Sequence, residues 1–80
     1  MTIDISTLYR EDGTAKLAKL PCYQQQVLDS VVDAADVVLT GPGPVWLYLS
    51  VSHLLHGRVR SLTYDSPVTG QVLIYDHNPY

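Results

Sequence analysis

All three histidines of this chain fall between residues 53 and 77, and His53 and His56 lie three apart at the end of one segment. With Asp65 and His77 they supply imidazole and carboxylate, the groups that hold a divalent metal ion or move protons near neutral pH. They follow the loop Thr40-Gly41-Pro42-Gly43-Pro44-Val45-Trp46-Leu47. A loop that leaves a strand and opens a helix is where small anions settle. Together the two features point to a nucleotide site.

Each feature has a plainer reading that stays open. Histidines are favoured at helix C-termini, where imidazolium meets the negative end of the helix dipole. Pro42 and Pro44 carry no N–H, so the loop has fewer donors than a glycine-rich phosphate loop and serves equally as a rigid helix start. Arg58 and Arg60 can hold phosphate near the histidines, although exposed charges on a strand are their ordinary role.

The elements that must position these groups follow from pattern and breakers. Residues 3–9 and 14–20 read as two strands joined around Asp12-Gly13, a hairpin turn signal. Pro21 introduces a helix over 23–35, where Tyr23, Val27, Leu28, Val31, Val32 and Ala35 recur at helical spacing. Val37-Val38-Leu39 reads as a strand buried on both faces. Pro44 suits the first turn of a helix over 45–56, which Gly57 stops. Residues 59–64 read as a strand, 66–70 as a turn and 71–75 as the antiparallel return. Strand, loop, helix and strand over 37–64 make one βαβ unit with parallel strands. The predicted fold is a small α/β, reduced Rossmann-like domain with a mixed sheet and two main helices, one domain over residues 1–80.

Direction decides which groups can meet. On a helix at 100° per residue, Trp46, Leu49, His53 and His56 share one stripe, and Leu47, Val51 and Leu54 another. That helix runs back along the sheet, so the histidines lie where the parallel strands begin. The next strand crosses the sheet and ends at Asp65, about 20 Å away. The return strand brings Asp76 and His77 back to the histidine edge. His56 and His77 can therefore meet within one chain, whereas Asp65 sits beside the Gly-Pro-Gly-Pro loop, at the carboxyl edge where α/β sheets bind ligands. Either one site forms between subunits, carboxyl edge against histidine edge, or there are two separate sites.

Composition narrows the partners. Residues 1–39 hold Arg10, Lys16 and Lys19 against six acidic side chains, while Arg58 and Arg60 balance Asp65 and Asp76 in the remainder. A net charge of −3 argues against long nucleic acid, whose binding relies on many Lys and Arg contacts to phosphate. An apolar content of 46% with 16% charged residues predicts an oligomer, most simply a homodimer, to cover surplus apolar area. No apolar run approaches the roughly 20 residues that span a bilayer, and the N-terminus lacks the blocks of a signal peptide, so a cytoplasmic protein is expected. Cys22, the one cysteine, has no intrachain partner and is expected to be a small packed side chain.

From Thr40 to His77 the order of motifs resembles a family. Gly41-Pro42-Gly43-Pro44-Val45-Trp46-Leu47-Tyr48, Ser52-His53-Leu54-Leu55-His56, Thr63-Tyr64-Asp65 and Gln71-Val72-Leu73-Ile74-Tyr75-Asp76-His77 are similar to the standalone, manganese-dependent ring nucleases of type III CRISPR systems. The resemblance covers about half of the chain. The turn Asp65-Ser66-Pro67-Val68-Thr69-Gly70 is one residue longer than the family's and lacks its arginine, so a divergent or minimal member is expected. The resemblance implies cleavage of cyclic tetra-adenylate, a second messenger, to linear products that damp the defence response. It implies a homodimer, with a dimer of dimers around the ligand. Residue by residue, it gives His56 and Asp65 the catalytic roles and His56 and His77 to Mn²⁺. His53 matches the first histidine of the pair, and Gly41, Gly43 and Trp46 match the loop that receives the adenylate ring. Arg58 is added as a phosphate contact. A module that sequesters the messenger without cutting it, and a structural subunit, are the alternatives.

Overall fold

The computed structural model describes residues 1–77. Its elements are β1 (Thr2–Asp4), two 3₁₀ turns (Ile5–Tyr9 and Leu17–Lys19), α1 (Leu20–Ser30), β2 (Asp36–Thr40), α2 (Val45–Leu55), β3 (Ser61–Ser66) and β4 (Gly70–Asp76). The strands form one sheet in the order β1-β2-β3-β4. β1, β2 and β3 are mutually parallel and β4 returns antiparallel. The fold is thus α/β, a four-stranded mixed sheet with two helices, consistent with a small Rossmann-like domain.

One core holds the two layers together. Ile3, Val37, Leu39 and Leu62 from the sheet pack with Tyr23 and Val27 of α1 and Leu47, Val51 and Leu55 of α2. Because one cluster contains the buried residues of both helices, α1 and α2 lie on the same face of the sheet, and Gln24 Nε2 donates to Ser50 Oγ between them at 2.9 Å. On α2 the buried row is Leu47, Val51 and Leu55, at a spacing of four, with Leu54 half-buried. Leu49 is left 66% exposed.

The expected N-terminal hairpin does not form. Only Thr2–Asp4 is a strand, and it pairs with β2 rather than with residues 14–20. The Asp4 side chain accepts from Ser6 N at 2.9 Å and Ser6 Oγ at 2.6 Å, and Thr7 Oγ1 donates to Asp4 O. Such local bonds compete with a strand ladder and turn the chain. Ile5 and Leu8, three apart, then bury on one side of the 3₁₀ turn. Tyr23, buried in the core, ties down the following loop by accepting from Lys16 N at 3.1 Å and donating to Asp12 Oδ2 at 3.3 Å.

The other differences are shifts of boundary. α1 starts at Leu20, with Pro21 in its first turn, and ends at Ser30, because Val31 adopts an extended backbone. β3 begins two residues later than expected, since Arg58 N and Val59 N still bond Leu55 O in the turn that closes α2. Asp65 therefore lies within β3 rather than just beyond it. Cys22 is exposed, not packed. No helix among the described residues is long and apolar enough to cross a membrane.

The amino ends of β2 and β3 are joined by an ion pair: Asp36 accepts from Arg60 Nε at 3.0 Å, from Arg60 Nη2, and from Ser61 Oγ at 2.7 Å. These bonds, Arg60 first and Ser61 second, hold the Asp36 carboxyl down at about 2. A folded-state pKa below the unfolded value stabilises above the unfolded value, and that stabilisation is lost as pH falls toward 2. Asp36→Asn is therefore expected to flatten the decline of the urea midpoint between pH 4 and 2, while differing little in shape above pH 5. The pair is exposed, so the change in midpoint is small.

Candidate functional site

Two hollows at opposite edges of the sheet contain Gly41, Gly43 and Asp65 on one side and His56 and Arg58 on the other. The first is at the carboxyl edge, where β1, β2 and β3 all end. A shelf there is lined by Thr40, Gly41, Pro42, Gly43, Tyr48, Tyr64, Asp65, Ser66 and Pro67. Thr40 Oγ1 reaches Asp65 O at 3.5 Å, linking the ends of β2 and β3. The turn after β3 is closed by Ser66 Oγ, which accepts from Val68 N at 3.1 Å. Asp65 and the loop thus share one surface. Among the described residues no Lys or Arg lines it.

The loop is held from behind. Tyr48 OH donates to Gly41 O and Tyr9 OH donates to Pro42 O. Burial, with smaller effects from Tyr64, Asp4 and Tyr9, pushes the Tyr48 phenol up to about 12, so it remains a donor at ordinary pH. Gly41 has φ +94°, and a methyl group added there would overlap the Asp4 carboxylate, whose Cγ lies 2.7 Å away. A methyl at Gly43 would meet Ile5 Cγ2 at 2.7 Å. Both glycines thus have a packing reason to be glycine, independent of any ligand.

The second hollow is at the amino edge. Asp33, Ala34, His56, Gly57 and Arg58 line it. His56 is the C-cap of α2, with φ −60° and ψ 126°, so it leaves the helical wheel on which His53 lies. Its ring packs edge-on to Tyr75 at 5.3 Å and to His77 at 4.9 Å between centroids. Tyr75 and His77 are 4.8 Å apart. His77 is brought there by its N–H, which donates to Arg60 O at 2.7 Å as β4 leaves the sheet. Tyr75 is the residue that sequence reasoning missed. Its hydroxyl is buried with no hydrogen-bond partner among the described residues, and burial raises its pKa, which keeps it protonated. His53 is exposed on the last turn of α2.

His56 and His77 therefore come together within one chain, and Asp65 does not join them. Arg60 lies opposite His77, and Asp65 is five steps further along the extended chain, a span of about 17 Å. No group of three or more His, Cys, Asp or Glu side chains among the described residues is placed to hold a metal ion. Two imidazoles are half of a coordination shell, and Mn²⁺ favours oxygen ligands that this edge of a single chain does not bring to them. Trp46 packs half-buried against the core and lines neither hollow.

A reduced Rossmann-like domain with a loop platform at its carboxyl edge and a histidine pair at the other is the class that fold and geometry define. A family model described as CRISPR-associated protein (Cas_csx3) matches residues 14–80. That is more than half of the chain, which belongs to this family of CRISPR-associated proteins. The chain matches none of the curated proteins and none of the solved structures.

The packing behind the platform has a direct test. Gly41 and Gly57 both have positive φ, but an added methyl at Gly57 meets nothing within 4 Å. Alanine at either position carries the left-handed backbone penalty, about 1–2 kcal/mol. Gly41→Ala is expected to cost at least about 1 kcal/mol more than Gly57→Ala in urea unfolding, because overlap with Asp4 adds to it.

Proposed function

We propose that the protein is a ring nuclease that cleaves cyclic tetra-adenylate, with its active site completed between chains. The observation that carries this reading is the division of the chemical groups between two edges: Asp65 on the carboxyl-edge shelf, His56 and His77 at the other. Membership in a CRISPR-associated family supports the substrate class, and the resemblance of the motifs supports the reaction.

The charge of the shelf favours completion by a second molecule. Asp65 is its ionisable carboxylate, Asp4 stands behind Gly41, and no cationic side chain among the described residues lines it. A phosphodiester placed there would meet negative charge without compensation. Arg58 and the histidines at the opposite edge are the groups that a facing chain would bring. Stacking one chain's histidine edge over another's shelf supplies them.

In this arrangement Asp65 takes the proton of a ribose 2′-hydroxyl as that oxygen attacks the adjacent phosphorus. The O2′–P bond forms, the P–O5′ bond breaks, and the departing oxygen takes a proton from the histidine pair of the facing chain. Arg58 beside His56 balances charge on the phosphoryl oxygens. His53, one turn before His56, and the loop around Gly41 and Gly43 border the ring, while Trp46, packed against the core, stays out of it. Where Mn²⁺ is bound, His56 and His77 would be its ligands rather than the proton source, water would protonate the leaving oxygen, and the ion would polarise a phosphoryl oxygen.

A second reading is sequestration of the same messenger without cleavage. It is favoured by the turn after β3, whose residues Ser66 to Gly70 contain no arginine.

The decisive experiment follows labelled cyclic tetra-adenylate with and without Mn²⁺. Linear products are expected, and His56→Ala and Asp65→Ala should each lower the rate about a hundredfold or more while binding persists. Mixing the two inactive variants should restore activity, since one contributes an intact shelf and the other an intact histidine pair. Failure of mixing to restore any activity, with both variants folded and the wild type active, would remove the shared site. An intact ring bound by the wild type would establish sequestration instead.

A further inference from the structure

We infer that an apolar slot next to the shelf is the purine-base subsite of the ligand, with Tyr64 and Tyr48 as its aromatic wall; this rests on the nucleotide reading above. The slot has a volume of about 330 Å³ and lies between the exposed side of α2 and the sheet. Val45, Leu49 and Ile74 form its aliphatic sides, Leu39 and Leu62 its floor, and Ser52 supplies one hydroxyl. That volume is at the small-ligand end of the range for binding pockets, about 300–1,000 Å³.

Continuity with the shelf identifies the occupant. Gly43, Tyr48 and Tyr64 line both hollows, so slot and shelf are two sides of one wall. One side is apolar and aromatic; the other carries Asp65, Thr40 and Ser66. A nucleotide has the same division, a flat base with apolar faces joined to a polar sugar and phosphate. The Tyr48 and Tyr64 rings meet edge-to-face, with centroids 5.1 Å apart and planes at 73°. Tyr48 cannot turn away without losing its bond to Gly41 O. The Tyr64 hydroxyl has no hydrogen-bond partner among the described residues. Around this pair Val45 is 72%, Leu49 66% and Ile74 50% exposed. A base laid against them would remove that surface from water and stack on an aromatic ring, a contact that tolerates any base by its face.

The base-contacting role thus falls to Tyr64 and Tyr48 and not to Trp46, which lines neither the slot nor the shelf. Recognition then has two parts. The slot holds the base, and the shelf presents the sugar and phosphate to Asp65.

Two variants test it without disturbing the loop: Leu49→Trp, which fills the slot from an exposed position, and Tyr64→Ala, which removes the stacking ring. Tyr48 is left intact because it also holds Gly41. Calorimetry would compare adenosine 5′-monophosphate with ribose 5-phosphate, which lacks the base, and then measure cyclic tetra-adenylate. The wild type should prefer the nucleotide, and both variants should bind it about tenfold more weakly or worse, with ribose 5-phosphate unchanged. Adenosine should shift the methyl resonances of Val45, Leu49 and Ile74 in the wild type. Variants that bind cyclic tetra-adenylate as the wild type does would overturn the subsite and leave the nucleotide reading standing. Sedimentation showing that both variants become monomers with base preference intact would also overturn it, making the slot a contact between copies. No binding of any adenylate by the wild type would overturn the subsite and the nucleotide reading together.

Discussion

The backbone of Gly41 to Pro44 is the constraint on which the shape of the carboxyl edge depends. Asp4 and Ile5 press on the two glycines from one side, while Tyr9 and Tyr48 take the carbonyls of Gly41 and Pro42. The loop is thereby set by contacts far apart in sequence. β1 contributes only three residues to the sheet, yet it places the turn that carries Asp4, Ile5 and Tyr9. Loss of β1 pairing would release the loop as well as the edge of the sheet. Because both carbonyls are directed inward to phenols, the loop is a braced edge, and its ligand-facing groups are few.

That economy shapes the chemistry. A phosphate loop with many free N–H groups binds anions without help. Here two of the four positions between Thr40 and Val45 are proline, and the charged groups beside the loop are the carboxylates of Asp4 and Asp65. The surface suits the ribose and base of a nucleotide better than its charge, so the charge must be met from elsewhere. The opposite edge of the same domain carries the cationic and titratable groups that are missing. A self-complementary distribution of this kind is what head-to-tail association requires. The edge strand β4 leaves Val72, Leu73 and Ile74 at least 42% exposed, so apolar area for such contacts is available.

The parts of this design that sequence disclosed are those with local causes. Pro44 and Gly57 bracket α2, the wholly apolar run at 37–39 marks β2, and the turn at 66–70 separates β3 from β4. From these alone the opposite placement of Asp65 and the histidines followed, as did the meeting of His56 and His77. The N-terminal third was misread because Asp12-Gly13 mimics a hairpin turn, whereas the deciding interactions are the Asp4 side-chain bonds and parallel pairing with a strand more than thirty residues away. No period in the sequence encodes that pairing. The helical wheel likewise failed at His56, where a cap residue with extended backbone replaces the last helical turn.

The tyrosines were the overlooked signal. The chain has six tyrosines and no phenylalanine, so nearly every aromatic ring carries a hydroxyl. In a small domain each phenol fills core volume and reaches a polar group at its rim. Tyr23 anchors a loop, and Tyr9 and Tyr48 brace the platform. Tyr75 differs, since its hydroxyl is buried beside His56 and His77 with no partner among the described residues. A buried donor without a partner costs about 1–3 kcal/mol, a penalty that phenylalanine at the same place would avoid. Retention of the hydroxyl at that cost is explained if it acquires an acceptor when the histidine edge is covered. The same assembly that would bring His56 to Asp65 would then also relieve the one buried hydroxyl that lacks a partner among the described residues.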